Sequence, residues 1–133
     1  MNEGSMSGVA EQTLVAHTFL NGLRDRNWEM LKSVMTEDIE WSLPGSSLIS
    51  GRAVGAEAVI DRAKLIVSYG LDFALLNILY GENGVTLSLN NTAQRGALVL
   101  NEFLSTVCLL REGKIYAINT YLSDVDMVNA FFV

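Results

Sequence analysis

The pattern of apolar and polar residues divides the chain into a helical first half and a strand-rich second half. Apolar residues recur every three or four positions over 9–24, 28–35 and 56–67, which predicts three amphipathic helices. Residues 38–43 alternate between apolar and polar, which predicts a half-buried strand before the third helix. Alternating segments and glycine turns over 71–122 predict an antiparallel meander.

Helices followed by a run of strands predict an α+β domain. A length of 133 residues with 50% hydrophobic residues fits one domain with a sizeable core. We expect residues 9–133 to form that domain and the Gly- and Ser-containing residues 1–8 to form a flexible leader. A sheet that curls around helices without closing leaves an apolar cavity at one end, which is a usual place for a small-molecule site.

Charge and composition exclude several classes of partner and site. The net charge of −6 argues against nucleic acid, and no apolar segment reaches the ~18 residues that a membrane span needs. Cys108 is the only cysteine, so no internal disulfide forms, and we expect it to be a small buried side chain. His17, the only histidine, is expected on the surface, which leaves no metal site. We therefore expect no cofactor and, by default, a cytoplasmic protein.

Several short motifs occur in a fixed order along the domain. They are Asn27-Trp28, Thr36-Glu37-Asp38-Ile39-Glu40-Trp41 with Pro44-Gly45, Gly51-Arg52 with Gly55, Gly113-Lys114-Ile115, and Tyr121 with Asp124. In this ordered set the chain resembles the nuclear transport factor 2-like superfamily, in its SnoaL-like branch of polyketide cyclase and ketosteroid isomerase-like small domains. The resemblance implies a cone-shaped α+β barrel, with a curved, mostly antiparallel sheet wrapped around three N-terminal helices. It also implies a deep pocket and a homodimer formed through the outer face of the sheet.

The residues that carry catalysis in two groups of relatives are replaced here. The resemblance places the ketosteroid isomerase base at Leu43 and its two hydrogen-bond donors at Phe19 and about Thr106, so the enolisation machinery is missing. The polar residues by which limonene epoxide hydrolases hold water and protonate the epoxide also have counterparts unsuited to that chemistry. These counterparts are Trp41, Leu43, Leu87, Leu89 and Thr120. Whether the protein is an enzyme is therefore left open.

Strand phase predicts which side chains point into the pocket. Because side chains alternate, a register shift of one residue would reverse the whole set. Trp41 offers a flat surface to a ring or chain, although an ordinary core position explains it equally well. The predicted inward residues are Ile39, Trp41, Leu43, Leu87, Leu89, Asn91, Glu102, Leu104, Thr106, Cys108, Ile118 and Thr120, with Phe19 from the first helix; all but Cys108 and Glu102 are the expected ligand-binding residues.

Glu102 is the candidate catalytic residue, because it interrupts the apolar run of residues 97–104. If it faces inward, its burial makes it a candidate general acid or base. The simpler alternative is that it lies near the wet mouth of the cone or pairs with Arg95 or another cation. Asp124, at the end of the last strand, is explained most simply as a helix N-cap.

Two functions from different classes remain open. The first is a binding module whose pocket holds a small hydrophobic or aromatic molecule without turnover. The second is a cyclase, isomerase or dehydratase acting on a small carbonyl compound, with Glu102 as acid or base and Asn91, Thr106 or Thr120 as hydrogen-bonding groups. An outward-pointing Glu102 would contradict the enzyme. A pocket filled by its own side chains would contradict both and indicate a structural or interaction domain.

Overall fold

Four helices and six strands make up the part of the chain that the computed structural model describes, residues 3–133, with side chains described from residue 8 onward. The helices are α1 (Glu3–Arg24), α2 (Trp28–Ser33), α3 (Ala56–Ser68) and α4 (Val125–Phe131). The strands are β1 (Met35–Leu43), β2 (Gly51–Val54), β3 (Asp72–Tyr80), β4 (Gly84–Arg95), β5 (Leu98–Arg111) and β6 (Lys114–Leu122).

All six strands belong to one sheet, in the order β2-β1-β6-β5-β4-β3. The β1–β6 pair is parallel and the other pairs are antiparallel. This confirms the predicted α+β class with a mostly antiparallel sheet. The sheet is not closed into a barrel, because β2 and β3 remain at its two edges.

The sheet buries one face and exposes the other, as the alternation predicted. Along β5, Glu102, Thr106 and Cys108 are buried, whereas Phe103 between them is 51% exposed. Helices α1, α3 and α4 pack against the sheet, and their apolar side chains join the inner face in one core. All the strand residues that were predicted to point inward are buried, except Leu104, which is partly buried. The predicted strand phase is therefore correct.

Several elements differ from the prediction. Helix α2 ends at Ser33 and strand β1 already begins at Met35, where the helix was expected to continue to residue 35. Strand β2 was not predicted, because four residues at a sheet edge are too few to show a periodic pattern; it pairs with β1 through Leu43 and Gly51. Helix α1 begins at Glu3 rather than at Val9, so residues 3–8, expected in a flexible leader, are helical. The glycines in that segment weaken a helix without ending it, and no proline interrupts it. Met1 and Asn2 lie outside the described residues.

Helices α2 and α4 each begin with a side-chain cap, and the cap at Asp124 was predicted. The Asn27 side chain accepts a hydrogen bond from the Met30 backbone N–H at the start of α2, and Asp124 does the same for Met127 at the start of α4. Each cap satisfies a backbone donor that the helix itself cannot pair. Over residues 3–133, no helix combines the length and apolar character that crossing a membrane requires.

Candidate functional site

A cavity lies between the inner face of the sheet and the helices, and α4 and the loop after β1 close it on one side. Its walls come from every strand except β2, from α1, α3 and α4, and from the connecting segments. The volume is about 50 Å³, which at roughly 10–15 Å³ per water molecule is room for a few waters. Ordinary small-molecule pockets start at about 300 Å³. The interior is therefore neither completely filled by its own side chains nor open enough for a large ligand.

Most of the predicted site residues line this cavity. Ile39, Leu87 and Ile118 are fully buried in the core away from it, as is Cys108, so these four do not contribute to its surface. The predicted residues on the cavity wall are Phe19, Trp41, Leu43, Leu89, Asn91, Glu102, Leu104, Thr106 and Thr120.

An equal number of lining residues were not predicted. Leu100 could have been found, because it continues the inward alternation of Glu102 and Leu104 by one step towards the start of β5. Ile49 in a loop and Phe132 after α4 carry no periodic signal, since only the tertiary fold brings them to the cavity. The full set consists of Leu23, Ile49, Ile66, Leu71, Phe73, Leu100, Leu122, Val128 and Phe132.

Glu102 is the most unusual group on the cavity wall. It is 2% exposed. Its Oε2 atom accepts hydrogen bonds from the Ser123 backbone N–H, from Ser123 Oγ at 2.8 Å and from the Asp124 backbone N–H at 3.1 Å. Its Oε1 atom is buried and has no hydrogen-bond partner. A buried acceptor without a partner is unfavourable, so the orientation is maintained by the three bonds to Oε2.

Neither simple alternative for Glu102 matches its position. It does not lie at a wet mouth, since its side chain is almost completely enclosed. It does not pair with Arg95, whose Nη1 donates instead to the Phe131 carbonyl while the guanidinium lies over the Tyr69 ring, 4.3 Å from its centroid. The carboxylate points inward, which is the orientation that the enzyme hypothesis required.

Other polar side chains lie beside Glu102 or on the next strand along the sheet. Asn91 is the direct cross-strand partner of Glu102, is 8% exposed, and its Oδ1 atom is buried without a partner. Thr106 and Thr120 face each other between β5 and β6. Thr120 Oγ1 accepts a hydrogen bond of 2.8 Å from Trp41 Nε1, so the hydroxyl hydrogen of Thr120 remains available. The polar residues therefore lie at directly opposite positions on adjacent strands, Asn91 opposite Glu102 and Thr106 opposite Thr120.

Trp41 is held from both sides. Its indole N–H donates to Thr120, and the guanidinium of Arg62 lies 5.4 Å from the centroid of its ring. Arg62 also donates to the Trp41 carbonyl at 2.9 Å and to the Ser50 carbonyl at 3.3 Å. Partial burial lowers the pKa of Arg62 from its usual value. These contacts leave Trp41 as a rigid, flat part of the cavity wall.

The C-terminal segment covers the cavity with Val128 and Phe132. Its backbone is tied to the rest of the molecule at several points: the Leu48 N–H donates to the Phe132 carbonyl at 3.1 Å, and the Tyr69 hydroxyl donates to the Val133 carbonyl at 2.9 Å. At the start of the segment, Glu102 holds Ser123 and Asp124. The same carboxylate therefore faces the cavity and anchors the element that covers it.

The chemistry available in the cavity is hydrogen bonding and proton transfer. The side chains described, from residue 8 onward, include no group of three His, Cys, Asp or Glu residues arranged to hold a metal ion. Burial raises the pKa of the Cys108 thiol to about 12, so it stays protonated and is a poor nucleophile at neutral pH. His17 is exposed on α1 and does not line the cavity. Glu102 is thus the one acidic side chain on the cavity wall.

No family model and no curated protein matches the chain. Solved structures do match, over almost its whole length. Bal32a, from a soil-derived mobile gene cassette, has a TM-score of 0.82 at 22% identity, covering 92% of this chain and 99% of its own. An NTF2-like protein from Burkholderia xenovorans LB400 has a TM-score of 0.79 at 17% identity, covering 93% and 97%.

The chain has the nuclear transport factor 2-like fold. The fold that the sequence motifs implied is confirmed. A further match is TerC, co-crystallised with polyporic acid, with a TM-score of 0.78 at 16% identity, covering 91% of this chain and 98% of TerC. At such identities the similarity establishes the nuclear transport factor 2-like fold alone, and function has to be argued from the cavity.

Proposed function

We propose that this protein binds a small hydrophobic or aromatic molecule in the cavity between the sheet and α4. The observation that carries the proposal is the combination of an almost wholly apolar wall with a few buried polar atoms, two of which, Glu102 Oε1 and Asn91 Oδ1, have no partner in the protein. Buried polar atoms are normally hydrogen-bonded. A ligand with an apolar body and a suitable polar group would supply what is missing.

Binding requires the cavity to enlarge. Its volume of about 50 Å³ is smaller than the engineered cavities of ~150 Å³ that accept benzene. The cover formed by α4 and Phe132 is tied to the rest of the molecule by individual hydrogen bonds, such as that from the Leu48 N–H to the Phe132 carbonyl, and not by a strand ladder. Such segments open at a lower free-energy cost than central strands. The ligand would therefore select a minor conformation in which this cover has moved.

The polyporic acid complex of TerC supports the proposal by analogy. TerC shares this fold over 91% of the present chain and was co-crystallised with polyporic acid. The identity of 16% carries no information on which molecule this protein binds.

Native mass spectrometry of the freshly purified protein, together with NMR titration with toluene, tests the proposal. We expect a co-purified mass, or chemical-shift changes confined to cavity residues at millimolar toluene. Leu104→Phe should abolish them, because the larger ring fills the cavity from β5. Leu76→Phe is the matched control, since Leu76 is 51% exposed on β3. If toluene shifts both variants and the native protein equally, or shifts none of them, the proposal fails.

The enzyme remains a second candidate because of one observation: Glu102 is inward-facing with a free Oε1 atom. As a base it would remove a proton from the carbon next to the carbonyl of a small ketone and return a proton to the same or a neighbouring carbon. The hydroxyl groups of Thr106 and Thr120 would donate hydrogen bonds to the oxygen of the enolate. Such an activity would belong with the SnoaL-like isomerases and cyclases.

Hydrogen–deuterium exchange of cyclopentanone in D₂O, followed by NMR, tests this activity. Protein-dependent exchange that is lost in Glu102→Gln and kept in Glu82→Gln would support it, since Glu82 is exposed in the β3–β4 turn and carries the same charge. Exchange at the same rate with all three proteins, or no exchange above buffer, would leave the binding function alone.

We also propose that two copies associate through the outer face of the sheet. Phe103 and Tyr121 on that face are 51% and 65% exposed, and exposed aromatic side chains on a sheet usually meet a partner. Sedimentation equilibrium should give a dimer that dissociates in the double variant Phe103→Glu/Tyr121→Glu. A monomer at micromolar concentration would contradict this proposal without affecting the binding function.

A further inference from the structure

The two oxygens of the Glu102 carboxylate have opposite surroundings. Oε2 accepts three hydrogen bonds from Ser123 and Asp124, whereas Oε1 is buried with none, in a side chain that lines the cavity. The three donors fix one oxygen and leave the other without a partner. Rotating the carboxylate would only exchange two equivalent atoms, so one oxygen always remains without a partner.

When Glu102 is ionised, its Oε1 atom carries no hydrogen, so it can accept a hydrogen bond but cannot donate one. Across the β4–β5 ladder, the neighbouring unpartnered atom is Asn91 Oδ1, which is also an acceptor. The guanidinium groups of Arg95 and Arg62 are engaged elsewhere: Arg95 donates to the Phe131 carbonyl, and Arg62 donates to the carbonyls of Trp41 and Ser50. The missing partner is therefore a hydrogen-bond donor, which is either one of the few waters that the cavity can hold or a ligand that displaces them.

We propose that the ligand carries a hydroxyl or amine group that donates its hydrogen to Glu102 Oε1, on an otherwise apolar ring or chain. This inference rests on the binding function proposed above and narrows its ligand class. A molecule whose only polar group is a carbonyl could accept a hydrogen bond from the Thr120 hydroxyl but would leave Glu102 Oε1 and Asn91 Oδ1 without a donor, which is unfavourable in an apolar cavity. The apolar body would lie against Leu89, Leu100 and Leu104.

The substitution Glu102→Gln should reverse this preference rather than merely weaken it. The three donors of Ser123 and Asp124 require an acceptor, so the amide oxygen takes the place of Oε2. The amide NH₂ then occupies the place of Oε1 and faces the cavity as a donor. The variant should therefore prefer a ligand that carries an acceptor.

Four probes of similar size separate these possibilities in NMR titrations: phenol and aniline are donors, benzaldehyde is an acceptor only, and toluene is neither. We expect the native protein to bind phenol, aniline or both about tenfold more tightly than toluene and benzaldehyde. The comparison of phenol with aniline distinguishes a hydroxyl from an amine. Glu102→Gln should bind benzaldehyde more tightly than toluene, while the control Glu82→Gln should keep the native order.

The outcomes are distinct for the two proposals. Equal affinity for all four probes in the native protein would overturn the donor inference and leave the binding function standing. Tighter binding of benzaldehyde than of phenol to the native protein would also overturn it. The same titrations are repeated on Leu100→Ala, whose cavity is larger. They show whether a probe that does not bind to the native protein is excluded by its size alone. If none of the four probes binds to the native protein or to Leu100→Ala, both the donor inference and the binding function are overturned.

Discussion

Leu100→Ala tests whether the cavity is a real packing defect of the native core. Leu100 is 2% exposed and lines the cavity. The substitution removes about three methylene equivalents, which at ~0.8 kcal/mol each forfeits roughly 2.4 kcal/mol of transfer free energy. An added void about as large as the existing 50 Å³ costs roughly 1.2 kcal/mol more, at ~24 cal/mol per Å³. We expect the free energy of unfolding to fall by about 3.5 kcal/mol.

Urea unfolding measures this loss, and ligand binding checks its origin. The matched control is Leu76→Ala, because Leu76 is 51% exposed on β3 and its truncation opens no cavity; we expect a loss below about 1 kcal/mol. Saturating toluene should stabilise Leu100→Ala more than the native protein and Leu76→Ala, because its enlarged cavity binds toluene more tightly, so the loss relative to the native protein shrinks only in Leu100→Ala. If Leu100→Ala costs no more than the control, or if toluene stabilises neither variant, the described cavity is not present in solution.

Three further predictions concern stability. Trp41→Phe and Thr120→Val each remove the buried hydrogen bond between Trp41 Nε1 and Thr120 Oγ1; a double-mutant cycle should give a coupling of about 1 kcal/mol, and strict additivity would show that the bond contributes nothing. Asp124→Ala should cost about 1 kcal/mol because it removes the N-cap of α4, whereas Asp126→Ala, which removes the same charge without a cap, should cost clearly less in the same unfolding assay. Burial raises the pKa of the Cys108 thiol to about 12, so the unfolded chain loses this proton at lower pH than the folded one. The contribution to stability is therefore complete below about pH 8.5 and is lost towards pH 12, at roughly 1.4 kcal/mol per pH unit. The difference between the native protein and Cys108→Ala in unfolding experiments from pH 8 to 11 should show this slope, and parallel curves would contradict it.

The sequence predicted the inner face of the sheet well. Alternation along β1, β4, β5 and β6 was sufficient to assign Trp41, Asn91, Glu102 and Thr120 to the interior, because side chains on a strand alternate strictly between two faces. The same rule would have added Leu100. It could not separate cavity wall from filled core, so Ile39, Leu87 and Ile118 were expected at the site but lie away from it.

The unpredicted parts of the site come from segments without a periodic pattern. Ile49 lies in a loop and Phe132 follows α4, and each reaches the cavity only because distant parts of the chain fold over it. The edge strand β2 is four residues long, which is shorter than any alternation that could be recognised with certainty. Such elements are determined by their tertiary partners rather than by local preference.

By itself, the sequence determined the α+β class, the alternation of side chains along the strands and the cap at Asp124, because these depend on local periodicity and on side chains that bond to nearby backbone. Tertiary structure decided the size of the cavity, the cover formed by α4, and the partners of Glu102. These depend on how segments separated along the chain pack together, as when Ser123 and Asp124 reach the carboxylate from the end of β6. The orphaned Oε1 atom, on which the proposed ligand class rests, exists only in the folded protein.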